Sequence, residues 1–310
     1  MSYRTLIGTD NLRALLGTPR LAVIDCRFYL MKPDAGRQDY LESHIPGARY
    51  ADLNRDLSAP IGADTGRHPL PNPEDLARRL TQLGISSDSQ VVAYDYANGS
   101  FAARLWWLLR WLGHDAVAVL DGGLQAWIQD GGPLQSGEPP VSAAPGTPSA
   151  RPVAPRGDGV ALDGVANDGV ANDGVAAGVV TSAELERALF ATAAGARKPL
   201  LVDARAPERF AGAVEPIDPV AGHIPGAVNY PFSANLDVDN RFLPAAELKR
   251  RWLERLAGTA PENLIAMCGS GVTACHNLLS LEIAGLAGAK LYAGSWSEWI
   301  RDARRPVARG

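Results

Sequence analysis

Two tandem α/β domains, each a small parallel sheet flanked by helices, form the architecture that the sequence predicts. Three observations lead there. The pentapeptide HIPGA occurs at 44–48 and again at 223–227. Aligning the two copies brings their surroundings into register, the mark of an internal duplication: LAVIDCR (21–27) with LLVDAR (200–205), VVAYD (91–95) with LIAMC (264–268), and VAVLDGGLQAW (117–127) with AKLYAGSWSEW (289–299). Within each copy, short aliphatic runs alternate with helical patterns, the order expected of a parallel sheet with helices on its faces. A chain of 310 residues is long enough for two separate cores.

Taken in chain order, LAVIDCR reads as a buried strand and HIPGA as a turn. Pro46 presets φ at the second turn position and Gly47 accepts the positive φ of the third, as a type II turn demands. VVAYD is the next strand, ending at Asp95. The helix after it carries Trp106, Trp107 and Trp111 among leucines, a core-packing stripe. VAVL follows as a further strand, and the first domain is assigned to 1–135. Residues 136–178 are rich in Pro, Gly and Ala and write a five-residue unit four times at 159–178 (GVALD GVAND GVAND GVAAG), with too few large apolar groups to offset the entropy of ordering. They are expected to be a surface linker. A calcium-binding array would need a longer period and denser acidic ligands. The second domain, 179–310, repeats the order: strand at 200–205, HIPGA turn, strand at 264–268, helix closing at Gly285, and a last strand and turn at 289–299.

A net charge of -4 with scattered Arg and Lys gives no basic stripe, which sets aside nucleic acid and anionic lipid as partners. No basic n-region precedes an apolar run, and no 18-residue uncharged apolar stretch occurs, so a cytoplasmic protein is expected. The three cysteines, Cys26, Cys268 and Cys275, are too few for a disulfide framework, and the last two lack the spacing of a zinc knuckle. Their chemistry is expected to be that of a free thiol, with no metal.

Chemistry concentrates in MCGSGVTAC. Cys268 stands at the end of a buried strand, followed by a turn with Gly269 and Gly271 and then a helix. Such a loop lets the backbone N–H groups of Gly269, Ser270, Gly271, Val272 and Thr273 converge as an anion nest, to which the helix dipole adds. Converging amide dipoles favour a thiolate, so Cys268 is expected to be nucleophilic at neutral pH. In the first half Asp95 takes the cysteine's place, which keeps the loop's shape without its chemistry.

With these residues in view, the chain resembles the two-domain rhodanese-type sulfurtransferases, and its loop is most similar to that of the 3-mercaptopyruvate sulfurtransferases. The resemblance implies that Cys268 takes a sulfur atom from a donor as a persulfide and passes it to a thiol, thioredoxin among the candidates, or to cyanide. No metal or organic cofactor is implied. Thiosulfate enzymes of the family carry basic residues directly after the cysteine; Gly269 and Ser270 stand there in this chain, which fits 3-mercaptopyruvate better, with thiosulfate as the alternative donor. The family pattern offers His44, from the first HIPGA, as a proton-handling partner of Ser270, supported by Asp34 or Asp39. For the donor's carboxylate it offers Arg209, with Arg205 beside it, against a reading in which Arg209 merely pairs with Glu208. A second family arginine is absent, Asp218 lying in its place, and a missing cation should raise KM for an anion.

Two other readings compete. A phosphatase loop of the Cys-x5-Arg kind needs an arginine at 274, where this chain has Ala. A non-catalytic binding module would have disabled loops in both halves, whereas only the first has lost its cysteine.

Overall fold

The computed structural model describes residues 2–138, 178–190 and 198–310. The GVAND repeat and nearly all of the stretch read as a linker lie outside them.

The first half builds a five-stranded, all-parallel sheet from β1 (Leu6–Ile7), β2 (Leu21–Asp25), β3 (Arg49–Tyr50), β4 (Gln90–Tyr94) and β5 (Val117–Leu120), in the order β1-β5-β4-β2-β3. The second half builds a four-stranded parallel sheet from β6 (Leu200–Asp203), β7 (Val228–Asn229), β8 (Leu264–Met267) and β9 (Lys290–Leu291), in the order β7-β6-β8-β9. The central strands β4 and β8 are buried almost throughout, as the aliphatic runs require of strands covered on both faces.

The duplicated motifs are architecture, and the two halves use them alike. Arg27 grips Asp25 side-on and reaches the carbonyl of Ser43, just before the first HIPGA. Arg205 grips Asp203 and the carbonyl of Gly222, just before the second. Each HIPGA histidine donates from Nδ1 to a backbone carbonyl, His44 to Tyr40 at 2.7 Å and His223 to Phe210 at 2.8 Å, and each stacks on the ring of that same residue. Gly47 and Gly226 take φ of 77° and 88°, the left-handed conformation that the turn demands and that glycine alone adopts without strain.

Each half has an apolar cluster of its own, around Ile7, Val92 and Trp127 in the first and around Leu201, Met267 and Trp296 in the second, and a third joins the halves. This third cluster runs from Ile24, Leu105 and Trp107 of the first half into Cys275, Leu278 and Trp252 of the second. Its centre is the contact between the helix Ala102–Trp111, buried along its whole length, and the helix Thr273–Ile283. Both helices start from the corresponding loops of the two halves, and packing them together sets Asn98 of the first loop against His276 and carries Arg104 to the Gly271 carbonyl of the cysteine loop.

Candidate active site

Cys268 follows β8, and the helix Thr273–Ile283 starts five residues later with Val272 as its N-cap. The intervening loop is pinned from below by the start of the helix Ser295–Trp299. Ser295 Oγ accepts the Cys268 N–H at 3.0 Å, while the N–H groups of Trp296 and Ser297 donate to the carbonyls of Cys268 and Gly269. Ser295 has a φ of 54°, left-handed for a residue with a side chain; the aligned position in the first half is Gly123, at 58°. A strained conformation is retained where its oxygen has a task.

Of the five backbone donors expected around the sulfur, the Gly271 N–H lies on Cys268 Sγ at 3.2 Å. Gly271 has no alternative residue type, since a Cβ there would stand 2.3 Å from the Ala293 carbonyl oxygen at a φ of +76°. The first half shows what such a loop does with a permanent anion. Asp95 is buried and accepts the N–H groups of Ala97, Gly99, Phe101 and Ala102 at 2.9–3.2 Å. Burial nonetheless pushes its carboxyl above the ordinary carboxylate range. Burial pushes Cys275 up to about 12, and its S–H donates to the Gly271 carbonyl; burial also pushes Cys26 up.

Ser270 shares a 2.7 Å hydrogen bond with Nδ1 of His68. That corrects the assignment of His44, whose ring is committed to Tyr40, and of its supports: Asp39 accepts the Tyr29 hydroxyl at 2.6 Å and Asp34 faces Arg55. His68 comes from the segment GRHPLP, whose counterpart before the matching helix of the second half, NRFLP (240–244), has Phe242 where the histidine stands. The segment lies against the cysteine loop: Arg67 N–H donates to Ser297 Oγ at 3.0 Å, and a Cβ on Gly66 would meet the Gly294 oxygen at 2.5 Å. Arg104, wholly buried, ties the two together by donating to the carbonyls of His68 and Gly271, both at 3.2 Å. Burial first, then the charges of Arg104 and Arg67, hold His68 down at about 3, so its imidazole is neutral across the physiological range.

Arg205 is corrected as well. Only 1% of its side chain is exposed, and its guanidinium is spent on Asp203, Gly222 and Glu215. Arg209 pairs with Glu215 and Asp218, not Glu208, and its Nη1 stands 3.6 Å from where a Cβ on Gly269 would lie. Beside it is a residue the sequence reading missed, Arg67, whose Nη1 pairs with Asp218 and whose Nη2 stands 2.9 Å from the same point. The available signal for His68 was asymmetry between the copies: the second half keeps the arginine, as Arg241, and has Phe242 in place of the histidine.

A sequence-family model described as the rhodanese-like domain matches residues 9–130 and 185–302. The chain belongs to this rhodanese family. Among its rhodanese relatives, a Pseudomonas aeruginosa protein described as a probable 3-mercaptopyruvate sulfurtransferase is 49% identical, with all of each chain covered. The human 3-mercaptopyruvate sulfurtransferase is 33% identical over 97% of this chain and 93% of its own. The bovine thiosulfate sulfurtransferase is 32% identical with the same coverage. The crystal structure of Escherichia coli SseA, described as a 3-mercaptopyruvate sulfotransferase, superposes with a TM-score of 0.70 at 30% identity, covering 95% of this chain and all of its own. Among the described residues there is no group of three His, Cys, Asp or Glu side chains able to hold a metal, and no helix long and apolar enough to cross a membrane.

Proposed function

We propose that the protein is a sulfurtransferase that moves sulfur from 3-mercaptopyruvate, through a persulfide on Cys268, to a thiol such as thioredoxin or to cyanide. The single observation that carries this reading is the Ser270–His68 pair, bonded at 2.7 Å on the loop whose Gly271 N–H lies on the cysteine sulfur. The Cys268 thiolate attacks the donor's sulfur as the donor's C–S bond breaks. The bonding electrons pass to the carbon, giving the enolate of pyruvate. The proton that leaves the donor's thiol is the one the carbon needs, and a neutral His68 next to a hydroxyl can relay it without holding it. The resulting Cys–S–S⁻ carries its charge on the outer sulfur, where amide dipoles stabilise it. In the second half-reaction the acceptor attacks that outer sulfur and the Cys268 thiolate is released; with cyanide the product is thiocyanate.

Arg209 is the proposed ligand of the donor's carboxylate, and the relatives that carry the 3-mercaptopyruvate name support the choice of donor. Thiosulfate is the alternative, through the same cysteine. We assign residues 1–135 to a half without a nucleophile, which lends His68 to the site, 136–178 to a linker and 179–310 to the catalytic half, in a cytoplasmic protein.

Incubation with 3-mercaptopyruvate followed by intact-mass analysis tests the reading. Release of pyruvate with a gain of one sulfur on Cys268 is expected, and that sulfur should be lost as thiocyanate when cyanide is added. No gain with either donor would point to a binding module.

A further inference from the structure

We propose that Arg104, from the half without a nucleophile, is the buried counter-charge of the Cys268 thiolate: a positioning residue that acts on the sulfur from beneath the loop and never meets the substrate. That the same charge then serves the persulfide rests on the sulfurtransfer reading above; the thiolate itself does not. Arg104 is wholly buried on the helix Ala102–Trp111. Buried charges are ordinarily paired with opposite ones, yet among the described residues no carboxylate pairs with this guanidinium. It donates from Nη1 to the Gly271 carbonyl and from Nη2 to the His68 carbonyl, both at 3.2 Å, and its Nε–H is buried without an acceptor. Two carbonyls satisfy donors but cancel no charge. Burial disfavours the guanidinium's ionised form, and the opposing charges that favour it are those of two thiols, Cys275 and Cys268.

The groups around the sulfur leave one pairing open. Cys275, pushed up to about 12, keeps its proton and donates it to the Gly271 carbonyl. His68, held down at about 3, is neutral and cannot be the imidazolium that ionises many reactive cysteines. Arg67 and Arg209, on the other side of the loop at Gly269, share Asp218, and Arg209 also holds Glu215, so acids already meet their charges. Cys268 is thus the remaining group that can be an anion, and Arg104 the remaining cation without one. Gly271 joins them: its carbonyl accepts from Arg104, and its N–H lies on Cys268 Sγ at 3.2 Å. In so buried a loop the effective dielectric is low, and a unit charge at that remove moves an ionisation by about one pH unit or more. The pairing also survives the reaction cycle, because thiolate and persulfide each carry one negative charge.

The test is the pH dependence of Cys268 alkylation by iodoacetamide, a neutral reagent, read by peptide mass on the full chain. Arg104→Gln keeps a donor for a carbonyl and removes the charge. It should move the midpoint of the profile up by about one pH unit or more, which is about tenfold slower alkylation below the parent's midpoint, with the alkaline plateau within about twofold. Arg104→Lys keeps the charge and loses the fork, so its midpoint should stay within about half a unit of the parent's. An unmoved Gln profile would overturn the proposal. So would a lowered plateau at an unchanged midpoint, the mark of a distorted loop, or a Lys variant shifted as far as the Gln one. The parent protein gives a second reading that does not depend on how any variant folds. A wholly buried cation is poorly screened, so raising salt from about 0.05 to 1 M should leave the midpoint within about 0.3 unit. A clear upward movement would hand the thiolate to the part-exposed Arg67 and Arg209 and refute the role of Arg104. Turnover enters none of these readings, so the expected shift in a protein that consumes no keto acid would keep the pairing and remove the sulfurtransfer reading.

Discussion

Two histidines with different tasks separate what is legible at the level of single residues from what is not. HIPGA is conspicuous because it is written twice, yet duplication marks what both halves need, a ring that bonds a carbonyl and stacks on a neighbour. The residue that meets Ser270, His68, occurs once. The distinction is measurable. His68→Ala or Ser270→Ala should lower kcat/KM for 3-mercaptopyruvate by roughly 10²-fold, the usual worth of a positioned proton relay, with the melting temperature little changed. His44→Ala should do the reverse, costing about 1–3 kcal/mol in urea denaturation through a buried carbonyl left unpaired while turnover persists. Loss of turnover in a folded His44→Ala protein would restore it as the catalytic histidine. Cys268→Ser should fold and transfer no sulfur from either donor, and residual transfer would place the nucleophile elsewhere. The position of Cys268 between a strand end and a helix start was readable from its loop alone, because strand end, two glycines and helix start are all local features.

At the level of elements, the decisive one is the start of the helix Ser295–Trp299, which holds the cysteine's backbone rather than its sulfur. The sequence alignment of DGGLQAW with AGSWSEW already paired Gly123 with Ser295, but the meaning of the exchange needed three dimensions. In the first half glycine satisfies the left-handed backbone and leaves room for the Asp95 carbonyl, which a Cβ would meet at 2.7 Å; in the second, a hydroxyl must reach the Cys268 N–H, so the chain tolerates strain. Replacing Ser295 should therefore invert the common order of substitutions. Both Ser295→Gly and Ser295→Ala leave the Cys268 N–H buried without its acceptor, at about 1–3 kcal/mol. Alanine keeps the left-handed strain that glycine relieves, so the Ala variant should be less stable than the Gly variant by about 1 kcal/mol, read as a difference in denaturation midpoint. A Gly variant at or below the Ala variant would show that this backbone is not strained. The strands of two residues, β1, β3, β7 and β9, were mostly beyond sequence reading, because so short a run has no periodicity to detect and is fixed by pairing with its longer neighbour.

For the molecule as a whole, the sequence told of two similar halves but not of their union, since an apolar helix face looks the same whether it covers its own sheet or its twin's. The helices Ala102–Trp111 and Thr273–Ile283 do both, and the interface they create buries polar groups that neither half would bury alone. His276 is one: wholly buried, it donates from Nε2 to the Asn98 carbonyl of the first half at 3.0 Å and stacks on Phe242. Burial pushes it, like His68, down to about 3. A histidine whose folded pKa is depressed binds a proton in the unfolded chain first, so its stabilisation is complete above the unfolded value of about 6.5 and is lost as pH falls from there toward 3. Each such group contributes a slope of about 1.4 kcal/mol per pH unit within that window. Buried carboxylates with raised values, Asp95 and Asp218 among them, act in the opposite sense at lower pH, so the total curve mixes signs. The share of one histidine is isolated by difference. His276→Gln keeps a donor for Asn98 and has no charge to acquire. Between pH 6 and 4 its urea midpoint should fall less steeply than that of the parent, the gap in unfolding free energy closing by about 1.4 kcal/mol per unit. Parallel curves would mean that His276 takes up its proton inside the folded protein, and hence that water reaches the junction between the halves.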